Sequence, residues 1–201
     1  MKKIAVLLSG RGSNFISIKK AVDAGEIDGE IAVVISNKAD AKGLEFAKES
    51  GLNAVFVNPK DFDGREAYDT EIVRILEENG TELVCLAGFM RIISSVFVDA
   101  FRNRIINIHP SLLPSFKGLD AQKQALEYGV KFAGCTVHFV DEEMDNGAII
   151  LQSVVPVEQD DTEDDLCARI LVEEHKLYPE VVRLFCADKL KVEGRRVVIN
   201  L

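Results

Sequence analysis

The sequence predicts an α/β protein: a doubly wound, mostly parallel sheet with helices on both faces and an antiparallel C-terminal portion. Three observations predict it. Short apolar runs alternate with helical periodicities from Lys3 to Ile106, the pattern of successive βαβ units. The first run empties into the glycine turn Gly10-Arg11-Gly12, with a helical pattern behind it. Beyond Gly134 two strand-like runs are joined only by an acidic turn, which suggests antiparallel pairing.

Lys3 to Ser9 reads as a buried parallel strand. The helix after it should turn Phe15, Ile18 and Val22 inward and stop near Gly25. Ile31 to Ile35 is a second strand ending at Ser36-Asn37; Asp40 is expected to cap a helix through Ser50, closed by Gly51. Ala54 to Val57 is a third strand, and Asp63 is expected to cap a helix with Tyr68, Ile72, Ile75 and Leu76 as its inner stripe. Leu83 to Ala87 is apolar throughout, as a central strand requires, and Gly88 permits a sharp exit. Phe89 and Met90 either line an apolar slot or join the core. Ser94 starts a short helix to Phe101, and Ile105-Ile106 opens the next strand. Leu119 to Tyr128 is helical and closed by Gly129; Gly134 to Val140 and Ala148 to Val157 are strands. A long helix starts at Asp161-Thr162-Glu163-Asp164, with Leu166, Ile170 and Leu177 as a stripe to Phe185; Pro179 should kink it or split it in two. Leu190 to Ile199 folds about Glu193-Gly194 as a small hairpin.

The composition narrows the function. At 201 residues the chain suits one domain, 1–201, with an N-terminal half to about residue 100 and a C-terminal half beyond it. A net charge of −9 and a pI near 4.9 argue against gripping a nucleic-acid backbone, although a local basic pocket for a small anion stays open. Cys85, Cys135, Cys167 and Cys186 show no C-x-x-C spacing, which fits reduced thiols and a cytoplasmic location. The apolar start Ile4 to Leu8 is broken too early by Gly10-Arg11-Gly12 for a signal peptide, and no run reaches membrane-spanning length.

The stretch Asn107-Ile108-His109-Pro110-Ser111-Leu112-Leu113-Pro114 carries the chemistry. Strand alternation points Asn107 and His109 to one side, and Pro110 ends the strand. An amide and an imidazole thus stand together at a strand's carboxyl end, where open α/β sheets bind ligands. The glycine loop offers free backbone N–H groups to an anion. It is not a dinucleotide fingerprint, because no third glycine follows at that spacing, nor a Walker A loop, because no Gly-Lys-Ser/Thr follows.

Assembled in order, these pieces resemble the phosphoribosylglycinamide formyltransferase family. The matching segments are Leu8 to Asn14, Ser36 to Asp40, Arg65 to Asp69, Leu86 to Arg91, Asn107 to Pro114, Thr136 to Val140, Asp145-x-Gly147, Gln152 with Val155 to Val157, and Glu174-His175. The resemblance implies formyl transfer from 10-formyltetrahydrofolate to the amine of a ribose 5-phosphate glycinamide, a step of purine synthesis. It implies that Asn107, His109 and Asp145 are the catalytic trio. Gly12, Ser13 and Asn14 would cradle the phosphate, and Glu174 would sit near the glycinamide or ribose. Arg65, Met90, Arg91, Ile92 and Ile93 would meet the folate, together with Asn107 and the loop Asp141, Glu142, Glu143, Met144 and Asp145. Small-molecule substrates, no metal, no nucleic acid, no membrane and a monomer or homodimer are implied with them. The chain departs from the family at Asp120-Ala121-Gln122, where histidines are frequent.

The residues suit that chemistry. Formyl transfer needs no protein nucleophile, because the amine attacks; it needs an oxyanion donor and a proton path. Asn107 can donate to the formyl oxygen, His109 can donate a second bond or pass a proton to the folate nitrogen, and Asp145 can hold the imidazole or a relay water. The rival readings fit less well. A hydrolase releasing formate would use the same trio, but that relative carries an extra N-terminal domain, and a tRNA formyltransferase carries an added C-terminal one. A serine triad of Ser111, His109 and Asp145 lacks the G-x-S-x-G elbow. A zinc site from His109, His138 and His175 matches no metal spacing; His138 and His175 read as strand and helix residues with local partners. A non-catalytic nucleotide-binding module would leave the trio without a task.

Overall fold

Apolar β-branched runs bury themselves between helices, and here they assemble into one nine-stranded sheet. The structure is a computed structural model that describes residues 1–200; Leu201, the last residue of the expected domain, lies outside them. The elements run β1 (Lys2–Leu8), α1 (Ser13–Asp23), β2 (Gly29–Ser36), α2 (Lys42–Glu49), β3 (Ala54–Phe56), a 3₁₀ turn (Pro59–Asp61), α3 (Arg65–Glu78), β4 (Leu83–Leu86), α4 (Ser95–Ala100) and β5 (Ile105–His109). Then come α5 (Ala121–Tyr128), β6 (Phe132–Phe139), β7 (Ile149–Pro156), α6 (Glu163–Cys186), β8 (Leu190–Glu193) and β9 (Arg196–Ile199). The strand order is β3-β2-β1-β4-β5-β6-β7-β9-β8. β1 to β5 pair in parallel, β6 is antiparallel to both β5 and β7, and β8 is antiparallel to β9. The sheet class and its antiparallel C-terminal part are those the sequence predicts. The link it does not predict is β9 joining β7 in parallel at Ile149↔Arg196.

Alternation along β1 splits the core. Ile4, Val6 and Leu8 pack with α1, α2 and α6 on one face, while Ala5 and Leu7 pack with α3 and α4 on the other. Leu166 and Ile170 of α6 cover Ala133, Cys135 and Val155 of β6 and β7. Among the described residues no helix is long and apolar enough to cross a membrane.

Two local expectations need correction, and one of two alternatives at Pro179 falls away. Asp40 does not cap α2: Ala41 is the N-cap, and the first-turn N–H of Gly43 is satisfied by the carbonyl of Gly10 at 3.0 Å. A backbone acceptor from the glycine loop has replaced the side-chain cap. Asp63 does not cap α3 either; Gly64, at φ +98°, makes that turn without a side-chain bond. Pro179 does not split the last helix, which runs unbroken from Glu163 to Cys186. Its start is fixed by a capping box between Thr162 and Asp165. Its middle is fixed by Tyr178, which is fully buried and whose hydroxyl lies 3.0 Å from the carbonyl oxygens of both Leu86 and Ile106. Tertiary anchoring beside Pro179 outweighs the lost helical bond. Tyr178→Phe should therefore cost about 1–2 kcal/mol of stability, read as a lower denaturant midpoint with an unchanged slope.

Candidate active site

β1 has β2 on one side and β4 on the other, so the winding direction reverses between β1 and β4. The crevice at the carboxyl ends of strands that flank such a point is where this class of sheet binds ligands. The loops after β1 and β4 are tied together there: the Ser9 N–H donates to the Gly88 carbonyl at 3.0 Å, and the Met90 N–H donates to Ser9 Oγ at 2.8 Å. β5, next to β4, brings Asn107 and His109 to the same rim.

His109 is buried, and each of its ring nitrogens faces an oxygen. Nε2 lies 2.8 Å from the Phe116 carbonyl and Nδ1 lies 3.4 Å from Asp145 Oδ2. Asp145 Oδ2 also accepts from the Gly118 N–H at 2.8 Å, and Asp145 itself holds a left-handed φ of +49°. Asn107 Nδ2 lies 3.4 Å from Nε2 of His138, and that nitrogen is 3.9 Å from Asp145 Oδ1. The four side chains therefore form one polar cluster.

His138 is the member that sequence reasoning missed, having assigned it only local partners. Its Nδ1 does bond locally, 2.8 Å from the Phe139 carbonyl. A carbonyl only accepts, so Nδ1 carries the hydrogen. Burial pushes the pKa of His138 below its ordinary value, against the opposing pull of that carbonyl and Asp145. The ring is neutral, and its bare Nε2 accepts from Asn107. That contact orients the amide and leaves its second N–H free. The available signal was the alternation of Thr136 and His138, but it becomes informative only with the antiparallel register Asn107↔His138 and His109↔Thr136. Thr136 supports the loop after His109. Its hydroxyl donates to the Ser111 carbonyl at 2.7 Å and accepts from the Leu113 N–H at 3.1 Å and Gln152 Nε2 at 2.9 Å.

The glycine loop forms the start of α1. Gly12 is its N-cap in the left-handed region, and no side chain caps the helix or places an acid in the first turn. The leading N–H groups of α1 thus lack intrahelical partners and point out of its N-terminus. Space as well as conformation demands glycine here: a Cβ on Gly12 would sit 2.8 Å from Gly43 Cα. Gly12→Ala should lose at least about 1–2 kcal/mol of stability from the left-handed strain alone, measurable by denaturant titration. Asn14 Nδ2 donates to Glu174 Oε2 at 2.7 Å, so two of the expected residues meet across the α1–α6 interface. Burial raises the pKa of Glu174, opposed by that bond, and Asn14 Oδ1 is buried without a partner.

The remaining expected residues line the rim. Arg91 stacks over the Tyr68 ring at 4.5 Å, with its Nε buried and unpartnered. Met90 and Ile92 are 65% and 58% exposed, whereas Ile93 is packed in the core against α3 and α4. Arg65 is exposed at the start of α3. In the acidic loop Glu142 pairs with Arg102 at 2.6 Å; Glu143 and Met144 are exposed and Asp141 is half-buried. His175, expected to have a local partner, has its Nε2 buried with none. It lines a groove of about 620 Å³ between α1 and α6 that shares only Ser13 with the expected site. Among the described residues no group of three or more His, Cys, Asp or Glu side chains is arranged to hold a metal ion.

Comparison with known proteins adds lineage to this geometry. The sequence model of the formyl transferase family matches residues 2–182. The chain is 46% identical over 189 residues to the phosphoribosylglycinamide formyltransferase of Escherichia coli, covering 94% of this chain and 89% of that one. It is 48% identical to the trifunctional purine biosynthetic protein adenosine-3 of Drosophila pseudoobscura, but spans only 14% of that protein's length. Its backbone is similar to that of glycinamide ribonucleotide transformylase 1 from Symbiobacterium toebii, with a TM-score of 0.98, 53% identity, and 99% of this chain and 94% of that chain covered. With most of its length matched both by the family model and by relatives well above 30% identity, the chain belongs to the formyl transferase family.

Proposed function

We propose that the protein transfers the formyl group of 10-formyltetrahydrofolate to the amine of glycinamide ribonucleotide, as the names of its relatives suggest, in purine biosynthesis. The observation that carries this reading is the cluster at the β5 rim: a free amide N–H on Asn107 beside an imidazole flanked by Asp145. An oriented amide donor and an imidazole beside a carboxylate are what acyl transfer to an amine asks of a protein that need not supply the nucleophile.

Each group has a task. Asn107 donates its second amide hydrogen to the formyl oxygen as that oxygen gains negative charge. His109 and Asp145 handle the proton that leaves the attacking amine and must reach the departing folate nitrogen. The new carbon–nitrogen bond forms at the amine, the old one breaks at folate, and one proton passes between them. His138 holds the amide in its donating orientation.

The N-terminal half supplies the phosphate site. Gly12, Ser13 and Asn14 present backbone N–H groups at the start of α1, in an otherwise acidic chain. Glu174, bonded to Asn14, would receive ribose or glycinamide polar groups. Gly12→Ala, besides its stability cost, should raise KM for the ribonucleotide more than KM for folate. The folate residues fit a ligand with an apolar body and a carboxylate tail. Met90 and Ile92 offer exposed apolar surface, Arg91 has an unused buried Nε–H, and Arg65 stands exposed at the start of α3. Ile93, its side chain in the core, can offer only its backbone. The C-terminal half adds Asn107 and the loop of Asp141, Glu142, Glu143, Met144 and Asp145. The four free cysteines suit the reducing cytoplasm, where the protein would act on small molecules as a monomer or homodimer.

An absorbance assay for deformylated folate, run with and without glycinamide ribonucleotide, tests the reading. Product that depends on the ribonucleotide supports it. Product formed without it would make the protein a hydrolase, and none in either case would leave a binding module.

A further inference from the structure

We propose that Arg102 and Arg195 are positioning residues that clamp the acidic loop 141–147 at both ends and so hold Asp145 against His109. Arg102, just beyond α4, donates from Nη2 to Glu142 Oε1 at 2.6 Å. Arg195, in the turn between β8 and β9, donates from Nη2 to the backbone carbonyl of Asn146 at 2.9 Å. Asp145 lies between these two grips, at φ +49°. Aspartate tolerates the left-handed region better than most residues, and contacts on either side of it fix that conformation.

The loop's own bonds go part of the way. Asn146 Nδ2 donates to Asp141 Oδ2 at 3.2 Å and Lys117 Nζ donates to Asn146 Oδ1 at 3.2 Å. Gly147 lets the chain pass close to β6, because a Cβ there would fall 1.8 Å from the Phe139 carbonyl oxygen. These contacts fix the loop near its base and on the side of residue 117. The Glu143 N–H also donates to Asp141 Oδ1 at 3.0 Å, and Asp145 Oδ2 accepts from the Gly118 N–H at 2.8 Å. None of these bonds holds the Glu142 side chain or the Asn146 carbonyl. The two guanidinium groups do, from elements far apart in sequence.

The clamp also gives the C-terminal hairpin a task. β8 and β9 lie beyond residues 2–182 that match the family model, and β9 reaches the sheet through the single pairing Ile149↔Arg196. That pairing sets the β8–β9 turn beside the loop, so that Arg195 can reach Asn146. In this chain the last strands buttress the loop that carries Asp145.

The inference rests on the proposed role of Asp145, and two readouts separate the two claims. Hydrogen exchange of the 142–147 amides in Arg102→Ala, Arg195→Ala and the double variant reports the clamp whatever the protein catalyses. Exchange there should quicken while the sheet amides stay unchanged. Steady-state kinetics reports the consequence: kcat should fall roughly two- to fivefold in each single variant and roughly tenfold in the double, with KM for the ribonucleotide unchanged. Arg102→Lys and Arg195→Lys, which keep a cationic donor, should recover most of the loss. Unaltered loop exchange in the double variant would overturn the clamp. Faster exchange with undiminished kcat would overturn its role in placing Asp145. An inactive wild-type protein would instead sink the proposed function, with the exchange result still deciding whether the clamp exists.

Discussion

His109→Ala is expected to lower kcat by ~10²–10⁴-fold with little change in KM for either substrate. The ring is the group in the cluster that lies against both the Asp145 carboxylate and the loop after β5. Its two nitrogens are held by the Phe116 carbonyl and Asp145, so its position is set by the fold rather than by a ligand. Alanine removes the imidazole and leaves Asp145 bonded to the Gly118 N–H, so the loop keeps an anchor. Global stability should therefore change far less than turnover, and thermal unfolding of the variant checks this directly. A variant with near-normal kcat would show that the proton travels by another route. A variant that fails only because KM rises would mean the ring binds substrate without assisting the chemistry.

Asn107→Ala is expected to cost ~10²–10³-fold in kcat, the usual effect of losing one oxyanion donor. The donor is preorganised: His138, neutral and fixed by the Phe139 carbonyl, accepts one amide hydrogen and directs the other outward. Preorganisation is what gives such a donor its value, because no reorientation is needed as charge develops. Asn107→Asp is the sharper control, since it keeps shape but places an acceptor where a donor is required. It should be no more active than the alanine variant. Single-turnover measurements at saturating substrates would separate this loss from weakened binding.

Much of this architecture can be read from the chain because local patterns and tertiary outcome agree. The apolar runs at Ile4 to Leu8 and Leu83 to Leu86 have no polar alternation, and both are central strands buried on both faces. The paired positions Asn107 and His109 follow from strand periodicity alone. What is not legible depends on contacts between distant segments. Asp40 and Asp63 are good caps by residue type, but Gly10 supplies the bond at α2 and Gly64 makes the turn at α3. Pro179 is a helix breaker by propensity, yet Tyr178 beside it is bonded to β4 and β5. His138 joins the site only through the antiparallel register of β5 and β6, which a sequence read in isolation does not set. The link of β9 to β7 likewise rests on one pairing with no pattern of its own. Asp145 is the intermediate case. Its chemistry suggests a partner for His109, but its approach to 3.4 Å depends on a loop held from α4 and from the C-terminal hairpin.

The central claim is that Asn107, His109 and Asp145 surround one reacting carbonyl. A crystal structure of the protein with glycinamide ribonucleotide and an unreactive analogue of the formyl folate measures this most directly. The account predicts the analogue's carbonyl oxygen within hydrogen-bond reach of Asn107 Nδ2, about 3 Å away, with the ribonucleotide amine on the adjacent carbon and its phosphate at the start of α1. A carbonyl bound elsewhere along the sheet rim, with Asn107 and His109 touching neither substrate, would contradict it.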